Sequence, residues 1–388
     1  MLLNVYNRFP VNFVKGEGLT LIDDKGDRYL DFVSGIAVNA LGHAHPKMVE
    51  TIQKQAETLL HVSNLYYNEA QNRAAEKLLA ATGYDRVFFC NSGAEANELA
   101  LKIARKYGKQ LSPSKNVILY MKNSFHGRTT GTLAVTGQEK YQADYRPLIP
   151  NTVEIEFNDI DMLKAHFNSD VCAIILEPIQ GEGGLTSATE SFIAEIARLA
   201  EEHQALVIFD EIQCGMSRTG TVLYSDQLPL KADVVTLAKA LGGGVPIGAC
   251  ITKGKANEIL VPGDHGSTYG GNPFVCSVAA TVLDEITSEE MLSHVKTMGE
   301  YAHSALESLQ KKHPEIVEIR GKGLLLGFKL DDSLSAGDLV KEALARKLLL
   351  VSAGGNVVRY FPALIVTEKE IDATIPILDA ALSALKEA

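Results

Sequence analysis

The chain has 388 residues, of which 46% are hydrophobic and 22% are charged, so it is long enough for two domains with sizeable cores and is not a disordered chain. Its 37 Lys and Arg residues against 48 Asp and Glu residues give a formal net charge of -11, which argues against nucleic acid or an anionic membrane as the main partner. A small anionic substrate stays compatible with this charge, because a few placed arginines override it locally.

The cysteines and the first residues of the chain indicate the cellular compartment. The five cysteines form no C-x-x-C pair and lie mostly in apolar contexts, which predicts reduced core residues. The opening MLLNVYNRFPV lacks a basic region followed by a long apolar segment, and no uninterrupted apolar run approaches roughly 18 residues. We therefore expect a cytoplasmic protein that does not bind membranes.

In chain order, the first predicted element is a β-hairpin in GEGLTLIDDKGDRYLDF, with its turn at DDKG. Short apolar, β-branched runs then predict buried strands: RVFFC from residue 86, NVILY from 116, VCAIIL from 171, ALVIFD from 205, DVVTLA from 233 and GACI from 248. Amphipathic stretches such as SFIAEIARLAEEHQ, from residue 191, lie between several of them. This alternation predicts an α/β protein with a mainly parallel sheet covered on both faces.

The C-terminal part differs from this pattern. From about residue 281, long helical patterns mix with the strand-like pieces GLLLGFKL and VVRYFPALIV. We therefore expect a large domain over residues 46–280 and a smaller α+β domain built from residues 1–45 and 281–388. Ligands of such sheets gather at the carboxyl ends of the strands, so the residues that follow each run are the first candidates for chemistry.

Two charged residues follow buried strands. Lys239 comes after DVVTLA and before three glycines, where loss of hydration lowers a lysine pKa and makes its amine a nucleophile. Asp210 ends ALVIFD, where a carboxylate needs a cationic partner such as a protonated ring nitrogen. The alternatives are a lysine that reaches towards water and a structural ion pair.

Two further strand ends carry groups that suit a flat, phosphorylated ring. NSGAEANE after RVFFC predicts a tight turn and a helix start, whose amides at Ser92, Gly93 and Ala94 would bind phosphate. FHGRTTG after NVILY offers an aromatic plate at Phe125 and a guanidinium at Arg128. With Lys239 and Asp210, this set predicts pyridoxal 5'-phosphate as the cofactor.

Seven motifs in order give the chain a family resemblance: SGIAVNALGHAHP, FFCNSGAEANE, FHGRTTG, EPIQGEGG, DEIQCGMSRTG, LAKALGGGVPIGA and HGSTYGGNP. Together they resemble class III aminotransferases of the acetylornithine aminotransferase type. The resemblance implies the fold of aspartate aminotransferase (fold type I), a homodimer, Lys239 as the Schiff-base lysine, Asp210 on the ring nitrogen and Gln213 near the ring hydroxyl. It also implies that Thr268 reaches the cofactor phosphate of the partner subunit and that Ser267 lies beside the substrate.

The resemblance extends to the substrates. Arg359, in VVRYFPAL, matches the arginine with which relatives bind 2-oxoglutarate, Glu182 is placed as its partner carboxylate, and Arg128 is expected to bind a substrate carboxylate. Ile36 stands where ornithine aminotransferases carry a tyrosine, which favours N-acetylornithine over free ornithine as amino donor. Ser217 departs from the family's usual glycine in DEIQCGMSRTG and predicts a slightly different turn there.

Other motifs in the sequence give weaker support to alternative functions. SPSK from residue 112 fits a hydrolase S-x-x-K pattern but has no supporting context, and GKGLLLG has the wrong glycine spacing for a dinucleotide-binding fold. His43 and His45 lack a third metal ligand, so no metal is expected. Ornithine, succinylornithine, succinyl-diaminopimelate and 4-aminobutyrate stay open as donors. An aminomutase of the same fold and a non-catalytic relative are the remaining alternatives.

Overall fold

The computed structural model describes residues 2–387. Its strands are β1 Phe13–Glu17, β2 Thr20–Asp23, β3 Arg28–Asp31, β4 Arg86–Cys90, β5 Val117–Met121, β6 Thr152–Ile155, β7 Val171–Leu176, β8 Ile179–Gln180, β9 Thr186–Ser187, β10 Leu206–Asp210, β11 Val234–Leu237, β12 Gly248–Thr252, β13 Ile316–Lys322, β14 Leu325–Leu330, β15 Leu348–Leu349, β16 Val351–Ala353 and β17 Val357–Tyr360.

The helices alternate with these strands through the middle of the chain. They are α1 Ser34–Ala37, α2 Pro46–Thr58, α3 Glu69–Thr82, α4 Gly93–Leu111, α5 Thr130–Leu133, α6 Glu139–Gln142, α7 Ile160–His166, α8 Glu190–Glu202, α9 Pro273–Ile286, α10 Glu289–Gln310, α11 Ala336–Ala345 and α12 Glu368–Glu387. Short 3₁₀ turns occupy Ala143–Tyr145, Tyr224–Gln227, Lys239–Leu241 and Gly254–Ala256.

A seven-stranded sheet forms the centre of the molecule, in the order β4-β12-β11-β10-β7-β5-β6. The pairs from β11 through β10, β7 and β5 to β6 are parallel, whereas β12 pairs antiparallel with both β11 and β4. All six residues of β7 are buried, as expected for a central strand with helices on both faces. The prediction of an α/β fold with a mainly parallel sheet is confirmed.

The two ends of the chain meet in smaller sheets. Strands β13, β14, β17 and β16 form one sheet, and the predicted hairpin β2–β3 lies in another with β1 and β15. Because β3 pairs in parallel with β15, the N-terminal hairpin is joined to the C-terminal part of the chain. The boundaries at residues 45/46 and 280/281 remain predictions.

Two further sequence predictions concern the membrane and the cysteines. Over residues 2–387, every helix is too short or too polar to span a bilayer. The five cysteines are buried and free of disulfides, as the apolar contexts predicted.

Candidate active site

A cavity of about 470 Å³ lies where the carboxyl ends of the central strands meet. Loops after β4, β5, β7, β10 and β11 contribute to its wall. The residues singled out from the sequence that line it are Ser92, Gly93, Ala94, Phe125, Arg128, Glu182, Asp210, Gln213 and Lys239. Folding therefore brings together groups that are far apart in the chain.

The turn between β4 and α4 presents a helix N-terminus to the cavity. Ser92 caps α4, since its Oγ accepts a hydrogen bond of 3.2 Å from the Glu95 amide, and the Glu95 carboxylate accepts one of 2.9 Å from the Asn91 amide. A Cβ at Gly93 would lie 2.6 Å from Ile212 Cδ1, so glycine permits this close approach. The free first-turn amides and the helix dipole make the turn suitable for phosphate.

Asp210 is 3% exposed and held by several donors. His126 Nδ1 lies 2.8 Å from Asp210 Oδ2, and Asn97 Nδ2 donates to the same oxygen at 2.7 Å. The Ile212 amide donates to the other oxygen, Oδ1, at 3.0 Å. A carboxylate fixed in this way has the orientation and charge to bind a protonated ring nitrogen.

Lys239 follows β11 in a strained conformation. Its φ of 43° lies in the left-handed region, which a non-glycine residue adopts only when the surrounding structure imposes it. Burial is the main cause that lowers the pKa of Lys239 below the ordinary lysine value, and the charge of Arg359 acts in the same direction. Glu182, Asp210 and nearby acids oppose this shift without reversing it. The lowered pKa increases the fraction of the amine that is neutral and nucleophilic.

A second buried carboxylate, Glu177, also lines the cavity. It accepts hydrogen bonds from the amides of Phe125 at 2.9 Å and Gly181 at 3.2 Å. Burial, and then the charge of Asp210, raise the pKa of Glu177 well above its ordinary value. Glu177 thus ties the Phe125 loop to the segment that carries Glu182.

Arg128 is exposed and stacks on aromatic rings. Its guanidinium carbon lies 3.8 Å from the centre of the Tyr141 ring and 5.5 Å from that of Phe125. In the described part of the chain Arg128 forms no ion pair with a carboxylate. The arginine therefore remains available to an anionic ligand.

Arg359, unlike Arg128, is buried and paired with a carboxylate. It is 2% exposed, its Nη1 pairs with Glu182 Oε1, and its Nη2 donates to the carbonyl oxygen of Ser352 at 2.9 Å. Burial by itself raises the pKa of Glu182, but the charge of Arg359 and its hydrogen bond outweigh burial, so the net pKa is lowered. The structure thus pairs the two residues that the resemblance placed together.

Ser267 and Thr268 lie outside the wall of this cavity. Ser267 Oγ accepts hydrogen bonds from Gly270 N at 2.9 Å and from Asn91 Nδ2 at 3.3 Å, while Thr268 is exposed. Asn64 Nδ2 donates to the carbonyl oxygens of Ser267, at 3.1 Å, and Gly270, at 2.9 Å. These bonds attach the loop to a strongly exposed apolar segment.

Ser217 and Ile36, the two positions where the sequence was contrasted with relatives, have unusual backbone angles. Ser217, at the position where the resemblance leads us to expect glycine, is fully buried and has a φ of 67°. Ile36 has φ 65° within α1, where Ser34, Gly35 and Ala37 also have positive φ, and it is 38% exposed. Val38, rather than Ile36, lines the cavity.

Sequence reasoning missed three groups of this site: Asn97, His126 and Glu177. His126 lies beside Phe125 in FHGRTTG, and Asn97 lies one helical turn after Gly93 in NSGAEANE, so their positions next to predicted site residues were the available signal. Their contacts with Asp210 follow only from the strand order.

Comparison with known proteins agrees with this geometry. The family model described as aminotransferase class III matches residues 3–382. An acetylornithine aminotransferase of Caldanaerobacter subterraneus subsp. tengcongensis is 47% identical over 99% of this chain and 98% of its own length. One of Methanocaldococcus jannaschii is 45% identical over 99% of this chain and 96% of its own length.

Solved structures show the same architecture. The ornithine aminotransferase of Toxoplasma gondii superimposes with a TM-score of 0.94 at 32% identity, covering 99% of this chain and 93% of that chain. The N-acetylornithine aminotransferase of Stenotrophomonas maltophilia gives a TM-score of 0.86 at 36% identity, covering 98% and 97%. A second Toxoplasma gondii structure has partial occupancy of pyridoxal phosphate at its active site.

Proposed function

This chain belongs to the class III aminotransferase family, whose members depend on pyridoxal phosphate, and from that membership we propose that it transfers the terminal amino group of N2-acetyl-L-ornithine to 2-oxoglutarate. The products are N-acetyl-L-glutamate 5-semialdehyde and L-glutamate, which places the reaction in arginine biosynthesis. A cytoplasmic location goes with this proposal.

The residues present fit the cofactor. Gln213 lines the cavity, and its Oε1 is buried without a hydrogen-bond partner among the described residues, which supports a role for it in accepting a bond from the ring hydroxyl. Glycine at 181 makes this possible, since a Cβ there would lie 1.8 Å from Gln213 Oε1. When bound, pyridoxal phosphate supplies a ring that withdraws electrons and carries the amino group between the two substrates.

The proposal assigns a role to each group of site residues. The amides of Ser92, Gly93 and Ala94 bind the phosphate, and Phe125 stacks against the ring. Asp210 holds a proton at the ring nitrogen. The Lys239 amine anchors the cofactor and moves the proton at the substrate carbon that carries nitrogen, for which a lowered lysine pKa is suited.

The choice of substrates is supported by one observation: of the two candidate substrate arginines, Arg359 is paired with a carboxylate that lines the cavity, whereas Arg128, which itself lines the cavity, is not paired among the described residues. Arg359 is paired with Glu182, whereas Arg128 is free of carboxylates in the described chain. Both substrates bring a carboxylate to Arg128, but only glutamate or 2-oxoglutarate brings a second one near the reacting carbon. Glu182 therefore neutralises Arg359 when the terminal-amine donor is bound.

A homodimer completes this proposal. Thr268 is exposed on its own subunit, and the adjoining segment exposes Leu65 at 85%, Tyr66 at 67% and Tyr67 at 98%. An apolar surface of this size next to a functional loop is suited to a second copy of the chain. In the dimer, Thr268 reaches the cofactor phosphate of the partner subunit.

The test is a panel of amino donors with 2-oxoglutarate as acceptor, compared by kcat/KM. N-acetylornithine should exceed ornithine, succinylornithine, succinyl-diaminopimelate and 4-aminobutyrate. A higher value for free ornithine would favour the second candidate, an ornithine aminotransferase, which the structural neighbour with TM-score 0.94 represents.

The cofactor's absorbance with glutamate and 2-oxoglutarate distinguishes a transaminase from an aminomutase. Glutamate should convert the cofactor stoichiometrically to its amine form, and 2-oxoglutarate should restore it.

Lys239→Ala should retain a folded dimer and lose all but trace turnover, because both the anchor and the proton carrier are removed. Substantial turnover in that variant would assign the chemistry to another residue.

A further inference from the structure

The hydrogen bonds behind Asp210 continue into the protein core. Asn97 Nδ2 donates to Asp210 Oδ2 at 2.7 Å and also to the carbonyl oxygen of His126 at 2.8 Å. Thr236 Oγ1 donates to Asn97 Oδ1 at 2.7 Å. Both Asn97 and Thr236 are fully buried, so these bonds do not compete with solvent.

The partners of Asn97 fix the orientation of its amide. Nδ2 faces two groups that only accept, a carboxylate and a carbonyl, while Oδ1 receives the Thr236 hydroxyl. A flipped amide would place Oδ1 against Asp210 and leave both acceptors without this donor. The two acceptors therefore make Asn97 a donor to Asp210, and the Thr236 hydroxyl holds the amide in that orientation by donating to Oδ1.

Asn97 also joins elements that hold opposite ends of the cofactor site. It lies in α4, one turn after Gly93, and the N-terminus of α4 forms the proposed phosphate cradle. Asp210 and Thr236 are directly opposite each other on β10 and β11. One side chain thus links the phosphate end of the site to the carboxylate at its ring-nitrogen end.

We propose that Thr236 and Asn97 are positioning residues that hold Asp210 and the start of α4 at the spacing the cofactor requires. We call Thr236, Asn97 and Asp210 the Asn97 clamp. Neither Thr236 nor Asn97 lines the cavity, so both act through Asp210 and α4 rather than on the reacting atoms. The inference rests on the proposed role of Asp210, but not on the identity of the amino donor.

The experiment measures the dissociation constant of pyridoxal phosphate from apoenzyme by absorbance titration. Thr236→Val keeps the shape of the side chain and removes the hydroxyl, and it should weaken cofactor binding about tenfold. Thr236→Ser restores the hydroxyl and should bind within about twofold of the unaltered protein. A Thr236→Val variant with unchanged affinity would overturn the clamp.

A matched control lies on the next strand. Thr252 Oγ1 donates to Asn257 Oδ1 at 2.8 Å, so Thr252→Val removes the same kind of bond at the end of β12 away from the cavity. It should lower the unfolding temperature without changing cofactor affinity. An equal loss of affinity in Thr252→Val would mean that Thr236 acts only through general stability.

Further variants test whether Thr236 acts through Asp210 and provide an alternative if Thr236→Val does not fold. In an Asp210→Ala background, Thr236→Val should cause a smaller loss of affinity than it does with Asp210 present, because only the effect through α4 remains. An undiminished tenfold loss would show that Thr236 does not act through Asp210. If Thr236→Val does not fold, Asn97→Ala replaces it, and adding Thr236→Ala to Asn97→Ala should then cause no further loss. Failure of unaltered apoenzyme to bind pyridoxal phosphate would instead refute the proposed function.

Discussion

At the scale of single residues, the two arginines proposed to bind substrate, Arg128 and Arg359, differ in the groups that contact their guanidinium. Arg359 is buried against Glu182, whereas Arg128 lies on the Tyr141 ring, which leaves its positive charge uncompensated. This difference is consistent with the proposal that every substrate brings a carboxylate to Arg128 and that only glutamate and 2-oxoglutarate bring one to Arg359.

The masking of Arg359 predicts opposite effects on the two half-reactions. Glu182→Ala should slow the reaction with N-acetylornithine about tenfold or more, because Arg359 would be left unpaired, while the glutamate half-reaction holds or improves. Arg359→Ala should selectively slow the reactions with glutamate and 2-oxoglutarate. Single-turnover rates followed by cofactor absorbance measure both halves separately. Equal losses in both halves would remove support for the masking.

Ser217 gives a prediction about stability. Its φ of 67° costs a non-glycine residue roughly 1–2 kcal/mol, and its Oγ has no hydrogen-bond partner in the described chain. Ser217→Gly should therefore stabilise the protein by about 1 kcal/mol after the greater flexibility of unfolded glycine is subtracted. Urea unfolding measures the gain. Ser217→Ala is the control: it removes the hydroxyl but keeps the strain, so a gain equal to that of glycine would exclude strain as the cause.

At the scale of elements, Glu211 joins the end of β10 to the 3₁₀ turn Tyr224–Gln227. Its carboxylate is fully buried and accepts hydrogen bonds from the amides of Tyr224, at 2.6 Å, and Ser225, at 2.9 Å. Burial raises the pKa of Glu211 from 4.5 to about 7, against these hydrogen bonds. The folded protein therefore binds a proton here more tightly than the unfolded chain does.

This pKa predicts a pH dependence with a definite sign. The stabilising contribution is fully present below pH 4.5 and is lost as the pH rises through about 7. Glu211→Gln cannot titrate, so its stability relative to the unaltered protein should improve between pH 5 and pH 8, by up to about 3 kcal/mol. Urea unfolding of both proteins across this range checks the prediction, and a constant difference between them would contradict it.

At the scale of the whole molecule, the exposed apolar segment predicts the assembly. The rings of His61 and Tyr269 lie 5.4 Å apart, and Asn64 bonds the Ser267 loop, so residues 59–67 and 267–270 form one surface. Tyr67→Glu should convert the proposed dimer to a monomer, because a carboxylate buried in the proposed interface would lack a partner.

Analytical ultracentrifugation checks this prediction. Cofactor retention should fall together with the proposed dimer, since the proposed contact of Thr268 with the partner subunit's phosphate would be lost. Val317→Glu is the control, since Val317 is 48% exposed on β13, in a different sheet. A Tyr67→Glu protein that remains dimeric would move the interface to another surface.

The sequence by itself determined the elements and the ends of the central strands. Apolar, β-branched runs such as VCAIIL and DVVTLA predict buried strands because the pattern is local, and they correctly put Asp210 at the end of β10 and Lys239 just beyond β11. Motif order then identified the family. Both results depend on short windows of sequence, where hydrophobic periodicity and turn residues act directly.

Only the tertiary structure decided which side chains meet. Thr236 contacts Asn97 across 139 residues, and Arg359 reaches Glu182 across 177. Such contacts depend on the order of strands in the sheet, including the antiparallel insertion of β12 between β4 and β11. Strand order is set by packing of the whole core, so no local pattern shows that Thr236 contacts Asn97. The sequence determined the chemical groups, and the fold determined their partners.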